Sequence, residues 1–355
     1  MEIGSEFSNN SVPVGLNAYF ELIDYPKRFV LSGRTALHLI AEELKSFVSD
    51  ILLPDYCCSS MIEPFVSQGF NLGFYDVKDL NSDIISNEID AVLIMDYFGF
   101  LSERTFEFAK QCKKKGKIII VDATQSAFSH SKTYCLADYI VASYRKWFDS
   151  LCAVVYSKSG FKTYETDLRH HPIYNQLWRD AARLKQEYLN CSSVNKRDFL
   201  ELYARANREL SSYYVYCKPN DSEIEIMRNA DSSSLRNSRR ENAKFLIEEI
   251  KKINTFSKVQ LIFDNVKEDD CPLFVPILLD EPKRDFIRGE LIKNNIYCPV
   301  HWPIDECYPH KKTSYHEKEL SLICDQRYGI KEMAKQAFVL AKALLTLEKT
   351  GGKYK

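Results

Sequence analysis

The sequence predicts a two-domain α/β protein built around a mainly parallel β-sheet with helices on both faces. Two observations carry this reading. From about Arg34 to Ser157, short apolar runs alternate with stretches of helical periodicity, and strand and helix in regular succession require crossover connections between parallel strands. The 355 residues, 45% hydrophobic and 13% aromatic, also suffice to bury the cores of two domains that share an interface.

Helical spacing near Thr35 to Ser49 is followed by the run Ile51-Leu52-Leu53, a helix near Met61 to Gln68 and a strand from Leu72 to Tyr75. Ala91 to Met95 reads as a buried strand and Glu103 to Lys115 as an amphipathic helix, with further strands at Lys117 to Val121, Tyr139 to Ala142 and Ala153 to Ser157. Tyr164 to Tyr216 reads as mostly helical, and Asp231-Ser232-Ser233-Ser234 starts a long helix through Glu249. The domain boundary falls just before it, giving a large domain over residues 1–228 and a small C-terminal α/β domain over residues 229–355. The small domain takes strands near Val259 to Phe263 and Leu273 to Leu279, and helices near Asp285 to Asn294 and Lys331 to Leu345.

With 48 basic against 49 acidic side chains, the net charge of -1 offers no field to draw in nucleic acid or an anionic membrane. A small or nucleotide-like ligand is the better default. Met1 to Phe20 lacks a basic start followed by an apolar run, and no stretch approaches the length of a membrane span. The 11 cysteines include no Cys-x-x-Cys and read as reduced core residues of a cytoplasmic protein. Cys57-Cys58 lacks the ligand spacing of a zinc site. Neither Gly-x-Gly-x-x-Gly nor a P-loop occurs, which argues against nicotinamide and nucleoside-triphosphate chemistry.

In an open parallel sheet, ligands bind beyond the carboxyl ends of the strands. The residues there are Pro54-Asp55-Tyr56, Asp96-Tyr97-Phe98-Gly99, Asp122-Ala123-Thr124-Gln125 and Ser143-Tyr144-Arg145-Lys146. A lysine between a buried strand and Trp147-Phe148 stands in partly apolar surroundings, which disfavour the ammonium and leave a nucleophilic amine suited to Schiff-base chemistry. Asp122 could supply the negative charge that keeps a pyridinium nitrogen protonated. Ser32-Gly33-Arg34-Thr35-Ala36-Leu37 combines a hydroxyl, a glycine and a helix start, which makes an anion site from free backbone N–H groups. Each element also has a plainer reading: Ser32 and Gly33 as a helix cap, Asp122 as a turn residue, Arg145-Lys146 as a solvated basic pair, Tyr56 as core packing. The ordered combination favours the chemical reading.

In that order and spacing the motifs resemble the DegT/StrS family of nucleotide-sugar aminotransferases, from about Ser32 to Tyr328. Ser32 to Leu37 resembles the family's Ser-Gly-Thr-x-Ala-Leu phosphate loop, and Leu53-Pro54-Asp55-Tyr56 its Pro-x-aromatic loop beside the cofactor ring. Asp122-Ala123-Thr124-Gln125-Ser126 resembles Glu-Asp-Ala-Ala-Gln-Ala, Ser143 to Lys146 resembles Ser-x-x-Lys, and Val300-His301-Trp302-Pro303 looks like Val-His-Tyr-x-Pro. The resemblance implies the type I fold of pyridoxal-phosphate-dependent transferases and pyridoxal 5'-phosphate as cofactor. It implies cofactor contacts from Gly33, Arg34, Thr35, Tyr56, Asp122, Gln125 and Ser143, catalysis by Lys146 with Asp122, and His301 near the substrate. Asp122 would meet the pyridine nitrogen, Gln125 the ring hydroxyl and Ser143 the phosphate.

Three departures stand out. Asp96 occupies the place of a histidine, Leu151-Cys152-Ala153 replaces a Gly-Gly, and no Gly-Tyr-Asn-Tyr-Arg segment occurs. The implied activity is amino transfer from glutamate to a keto-sugar nucleotide, in surface-polysaccharide or amino-sugar biosynthesis, by a homodimer without nucleic-acid, membrane or metal partners. Two alternatives remain open at this stage: a non-catalytic binding or regulatory protein of the same shape, and an aminotransferase for a non-sugar substrate. Lys146 argues against sugar dehydration, where the resemblance implies a histidine. Arg34, Arg145, Arg179 and Arg327 are unranked candidates for a substrate carboxylate or diphosphate, and His170-His171 before Pro172 reads as a surface turn.

Overall fold

The computed structural model describes residues 2–8, 23–162, 167–190, 194–254, 259–280, 282–303, 307–308 and 313–349. The chain opens with β1 (Ile3–Gly4) and β2 (Lys27–Val30), then α1 (Gly33–Leu44), β3 (Asp50–Pro54), α2 (Ser59–Val66) and β4 (Asn71–Tyr75). There follow β5 (Ala91–Met95), α3 (Glu103–Lys114), β6 (Ile118–Asp122), β7 (Tyr139–Ser143) and β8 (Ala153–Ser157). A helical stretch carries β9 (Arg169–His170), α4 (Tyr174–Asn190), α5 (Lys196–Ser212), β10 (Cys217–Lys218) and α6 (Asp221–Arg228). After α7 (Ser232–Asn254) come β11 (Gln260–Leu261), β12 (Phe274–Leu278), α8 (Lys283–Lys293), β13 (Ile296–Tyr297), α9 (Tyr315–Lys318), β14 (Glu319–Ile323) and α10 (Ile330–Lys349).

Seven strands form the main sheet in the order β2-β8-β7-β6-β5-β3-β4. The five from β7 to β4 run parallel, and β8 is antiparallel to both of its neighbours. Alternate residues leave opposite faces of a strand. Val92, Ile94, Ile119 and Val121 therefore join a core with Phe108 and Cys112 of α3. Ala91, Leu93, Met95 and Ile120 join another with Leu37, Ile40, Met61 and Phe65 of α1 and α2. A sheet covered on both faces needs apolar side chains at every position, which is why these strands read as unbroken apolar runs.

The C-terminal part builds a separate core around the antiparallel sheet β11-β12-β14, where Leu246 and Ile250 of α7, Leu291 of α8 and Leu340 of α10 meet Ile277 and Leu322. The sequence reading placed no strand at β14. Its alternation of Glu319 and Ser321 with Leu320 and Leu322 suggests a half-exposed segment, yet all four are fully buried. By pairing, β1 belongs to this part of the fold, since Ile3 and Gly4 lie parallel to Ile296 and Tyr297. No described helix is long and apolar enough to cross a membrane, and the described cysteines are all free.

Candidate active site

The carboxyl ends of β5, β6 and β7 and the start of α1 open onto a cavity of about 190 Å³, where ligands bind in sheets of this kind. At the start of α1, Ser32 Oγ accepts the Thr35 N–H at 3.1 Å. Its hydroxyl is therefore engaged as a cap, while the N–H groups of Gly33 and Arg34 make no hydrogen bond among the described residues. A Cβ at Gly33 would stand 3.6 Å from Ser143 Cβ and 3.8 Å from Thr124 Oγ1. The helix start thus approaches the two strand ends closely, and first-turn N–H groups at a helix start suit an anion.

From the end of β6, Asp122 and Gln125 line the cavity. Asp122 is 5% exposed and accepts the Thr124 N–H at 2.8 Å. Burial raises its pKa above the ordinary carboxylate value, against hydrogen bonds from Thr124 that lower it. Such a carboxylate gains from a cation placed beside it. Gln125 Oε1 accepts the Phe98 N–H at 2.7 Å, so its NH2 group is the end suited to a ligand.

Ser143, Arg145 and Lys146 reach the cavity from the end of β7, where Tyr144–Lys146 forms a single 3₁₀ turn. The turn is anchored by Trp147 and Phe148, which are buried against Phe128, and by Trp147 Nε1, which donates to the Thr124 carbonyl at 2.9 Å. The Lys146 side chain is accessible from the cavity but surrounded by protein. Desolvation by those walls, then repulsion from Arg145, lowers its pKa below the ordinary lysine value. A lysine so placed yields the neutral amine more readily.

The four candidate arginines separate by their partners. Arg179 is held by Asp149 at 2.7 Å and by Glu223, and Arg327 by Asp325 at 2.8 Å. Both are structural. Arg34 and Arg145 line the cavity. Arg34 lies 3.1 Å from Glu63, whereas Arg145 donates to the neutral Tyr174 hydroxyl at 3.0 Å and Asn207 Oδ1 at 3.1 Å. Among the described residues Arg145 makes no ion pair, which leaves it the stronger anion ligand.

Of the residues singled out in the sequence, the structure brings Gly33, Arg34, Asp122, Gln125, Ser143, Lys146 and His301 to this one cavity. Thr35 and Tyr56 are not in its lining. Thr35 is fully buried with its hydroxyl donating to the Tyr214 carbonyl at 2.9 Å. Tyr56 is also buried, packed 5.1 Å from the rings of Trp302 and His316, and its hydroxyl donates to the His301 carbonyl at 2.5 Å. Asp96 turns away from the cavity toward Ser131, whose hydroxyl donates to it at 2.7 Å. His171 is buried rather than at a surface turn, because Nδ1 accepts the Ile173 and Tyr174 N–H groups at the start of α4. Asn207 and Ser211, from α5, line the cavity as well. They lie more than 60 positions from Lys146, and no local pattern marks them.

No protein-family profile matches this chain, and no curated protein sequence matches it. Solved structures match it along nearly its whole length. PseC of Helicobacter pylori, an aminotransferase involved in the biosynthesis of pseudoaminic acid, is similar over 97% of this chain and 94% of its own, with TM-score 0.68 and 14% identity. A sugar aminotransferase of Streptococcus pneumoniae, Spr1654, described as putative and solved in its PLP form, is similar over 98% of this chain and 100% of its own, with TM-score 0.63 and 11% identity. Serine palmitoyltransferase of Sphingomonas wittichii is similar over 92% of this chain and 73% of its own, with TM-score 0.57 and 12% identity. At these identities the likeness is one of fold: the chain adopts the type I fold of pyridoxal-phosphate-dependent transferases.

Proposed function

We propose that the chain is a pyridoxal-phosphate-dependent aminotransferase that moves an amino group from glutamate to a keto-sugar nucleotide. The observation that carries the reading is the meeting of Lys146 and Asp122 in one cavity, the lysine with its ammonium disfavoured and the aspartate buried with no ion pair among the described residues. The residues fit the cofactor. Asp122 suits a pyridinium nitrogen, and Gln125 with its NH2 group available suits the ring hydroxyl. Ser143 with the free N–H groups of Gly33 and Arg34 suits a phosphate.

When bound, pyridoxal phosphate supplies an electron sink that acidifies the carbon bearing the amino group. In this role Lys146 would hold the cofactor through its amine and, when that amine is free, would serve as the base and acid of the site. Asp122 would supply the negative charge that favours a protonated ring nitrogen. Arg145, whose hydrogen-bond partners among the described residues are neutral, takes an anionic group of donor or substrate. The large cofactor-binding part over residues 1–228, the small part over 229–355, a homodimeric assembly and a cytoplasmic setting complete the proposal.

The test is an absorption spectrum of the purified protein with pyridoxal phosphate, before and after glutamate, beside Lys146→Ala. A long-wavelength band that glutamate removes, and that the variant lacks, supports the reading. A folded protein with no such band would leave a non-catalytic binding protein of the same fold.

A further inference from the structure

His301 enters the cavity from the segment after β13, and three contacts hold it. Its N–H donates to Glu319 Oε2 at 2.7 Å, its carbonyl accepts the Tyr56 hydroxyl at 2.5 Å, and its Nδ1 lies 3.0 Å from Ser321 Oγ. Ser321 Oγ in turn donates to Glu319 Oε1 at 2.5 Å. Glu319 and Ser321 stand two residues apart on β14, so they leave the same face of the strand, and both are fully buried. The Ser321 N–H donates to the Pro299 carbonyl at 3.0 Å, which ties the His301 segment to this strand at a further point.

The supply of hydrogens sets the direction of this relay. A carboxylate only accepts, so the single hydroxyl proton of Ser321 is committed to Glu319. Ser321 Oγ can then meet His301 only as an acceptor, which requires the hydrogen on Nδ1. A neutral imidazole carries one N–H, so Nε2 keeps its lone pair. Nε2 makes no hydrogen bond among the described residues, and the cavity that His301 lines also holds Lys146. Ser321 itself is no nucleophile, since its buried hydroxyl is spent on Glu319.

We propose that Glu319 and Ser321 are positioning residues that hold His301 as the Nδ1–H tautomer, presenting Nε2 to the cavity as an acceptor for a hydroxyl group of the substrate. A carboxylate there would set lone pair against lone pair, so this side of the cavity selects a hydroxylated substrate. That substrate preference rests on the function proposed above, whereas the tautomer does not.

The experiment is nitrogen-15 NMR of the full chain labelled at histidine, read near neutral pH, with the His301 signals assigned by their loss in His301→Gln. The expected pattern is a protonated Nδ1 and an unprotonated Nε2 in the wild-type protein. In Glu319→Gln, and in the double variant with Ser321→Ala, it should relax toward Nε2–H, whereas Ser321→Ala alone leaves Glu319 Oε2 3.7 Å from Nδ1 as an acceptor. An Nε2–H tautomer or an imidazolium in the wild-type protein would overturn the proposal, and that measurement holds even if the variants do not fold. Unchanged signals in a folded double variant, Ser321→Ala with Glu319→Gln, would overturn it too. The expected pattern in a protein that shows no cofactor band would support the positioning role while removing the aminotransferase reading.

Discussion

The guanidinium of Arg239 lies 4.7 Å from the centre of the Trp147 ring and also donates to the Trp147 carbonyl. A side chain of α7 therefore grips the residue next to Lys146. Arg239 is 1% exposed and donates as well to the Leu273 carbonyl at 3.0 Å and to Gln326 Oε1 at 2.8 Å. Arg239→Met keeps the bulk and removes the donors, taking the buried Leu273 carbonyl's partner away while the Trp147 carbonyl keeps Gln326 Nε2 at 2.8 Å. Its expected cost is on the order of 3 kcal/mol in urea unfolding. Arg239→Lys should recover little of it, because one ammonium cannot span partners that a planar fork reaches.

Gly99 has φ +81, and a Cβ there would stand 1.9 Å from the Cys271 carbonyl oxygen. Gly69 has φ +84 with nothing within 4 Å of an added Cβ. Gly99→Ala should therefore cost at least about 3 kcal/mol or prevent folding, and Gly69→Ala only about 1 kcal/mol for its backbone conformation. Comparison of the two unfolding midpoints separates the clash from the strain.

Burial pushes the Asp96 carboxyl up to about 6, against hydrogen bonds from Ser131 and Ser102 that pull it down. In the unfolded chain an aspartate titrates near 4. Between these values the folded protein holds more protons, so this group makes stability fall as pH rises from about 4 to about 6, by roughly 2–3 kcal/mol. Asp96→Asn should lose that slope and be more stable than the parent at neutral pH. Unfolding curves across this pH range check it.

Lys146→Ala and Asp122→Asn should leave the fold intact and act on chemistry. The lysine variant is expected to lose at least about 10⁴-fold in turnover with glutamate, having neither covalent link nor proton carrier. The aspartate variant should lose about 10²- to 10³-fold, the scale of one misplaced electrostatic stabiliser. Circular dichroism beside turnover separates these losses from misfolding.

Much of this was legible in the sequence. Strands buried on both faces announce themselves as apolar runs, and Asp122, Ser143 and Lys146 follow such runs directly. Tyr56 follows one too, but the segment carrying His301 and Trp302 folds over it and takes its hydroxyl. Sequence position could not foresee that long-range contact. Glu319 and Ser321 stayed hidden for the opposite reason. They are polar residues buried by pairing with β12, so their alternation points to a surface that does not exist. The partners of the arginines were equally out of reach, because Arg179 meets Glu223 across 44 positions.

The pairing of Ile3 with Ile296 has a consequence for how the protein is made. One edge of the two-stranded ladder is translated 293 positions before its complement. At roughly 5–20 residues per second, that interval is about 15–60 s. During it the parallel sheet can assemble, while the first strand waits without a place. This strand is thus among the last to dock, and its docking records that the C-terminal part of the chain has arrived.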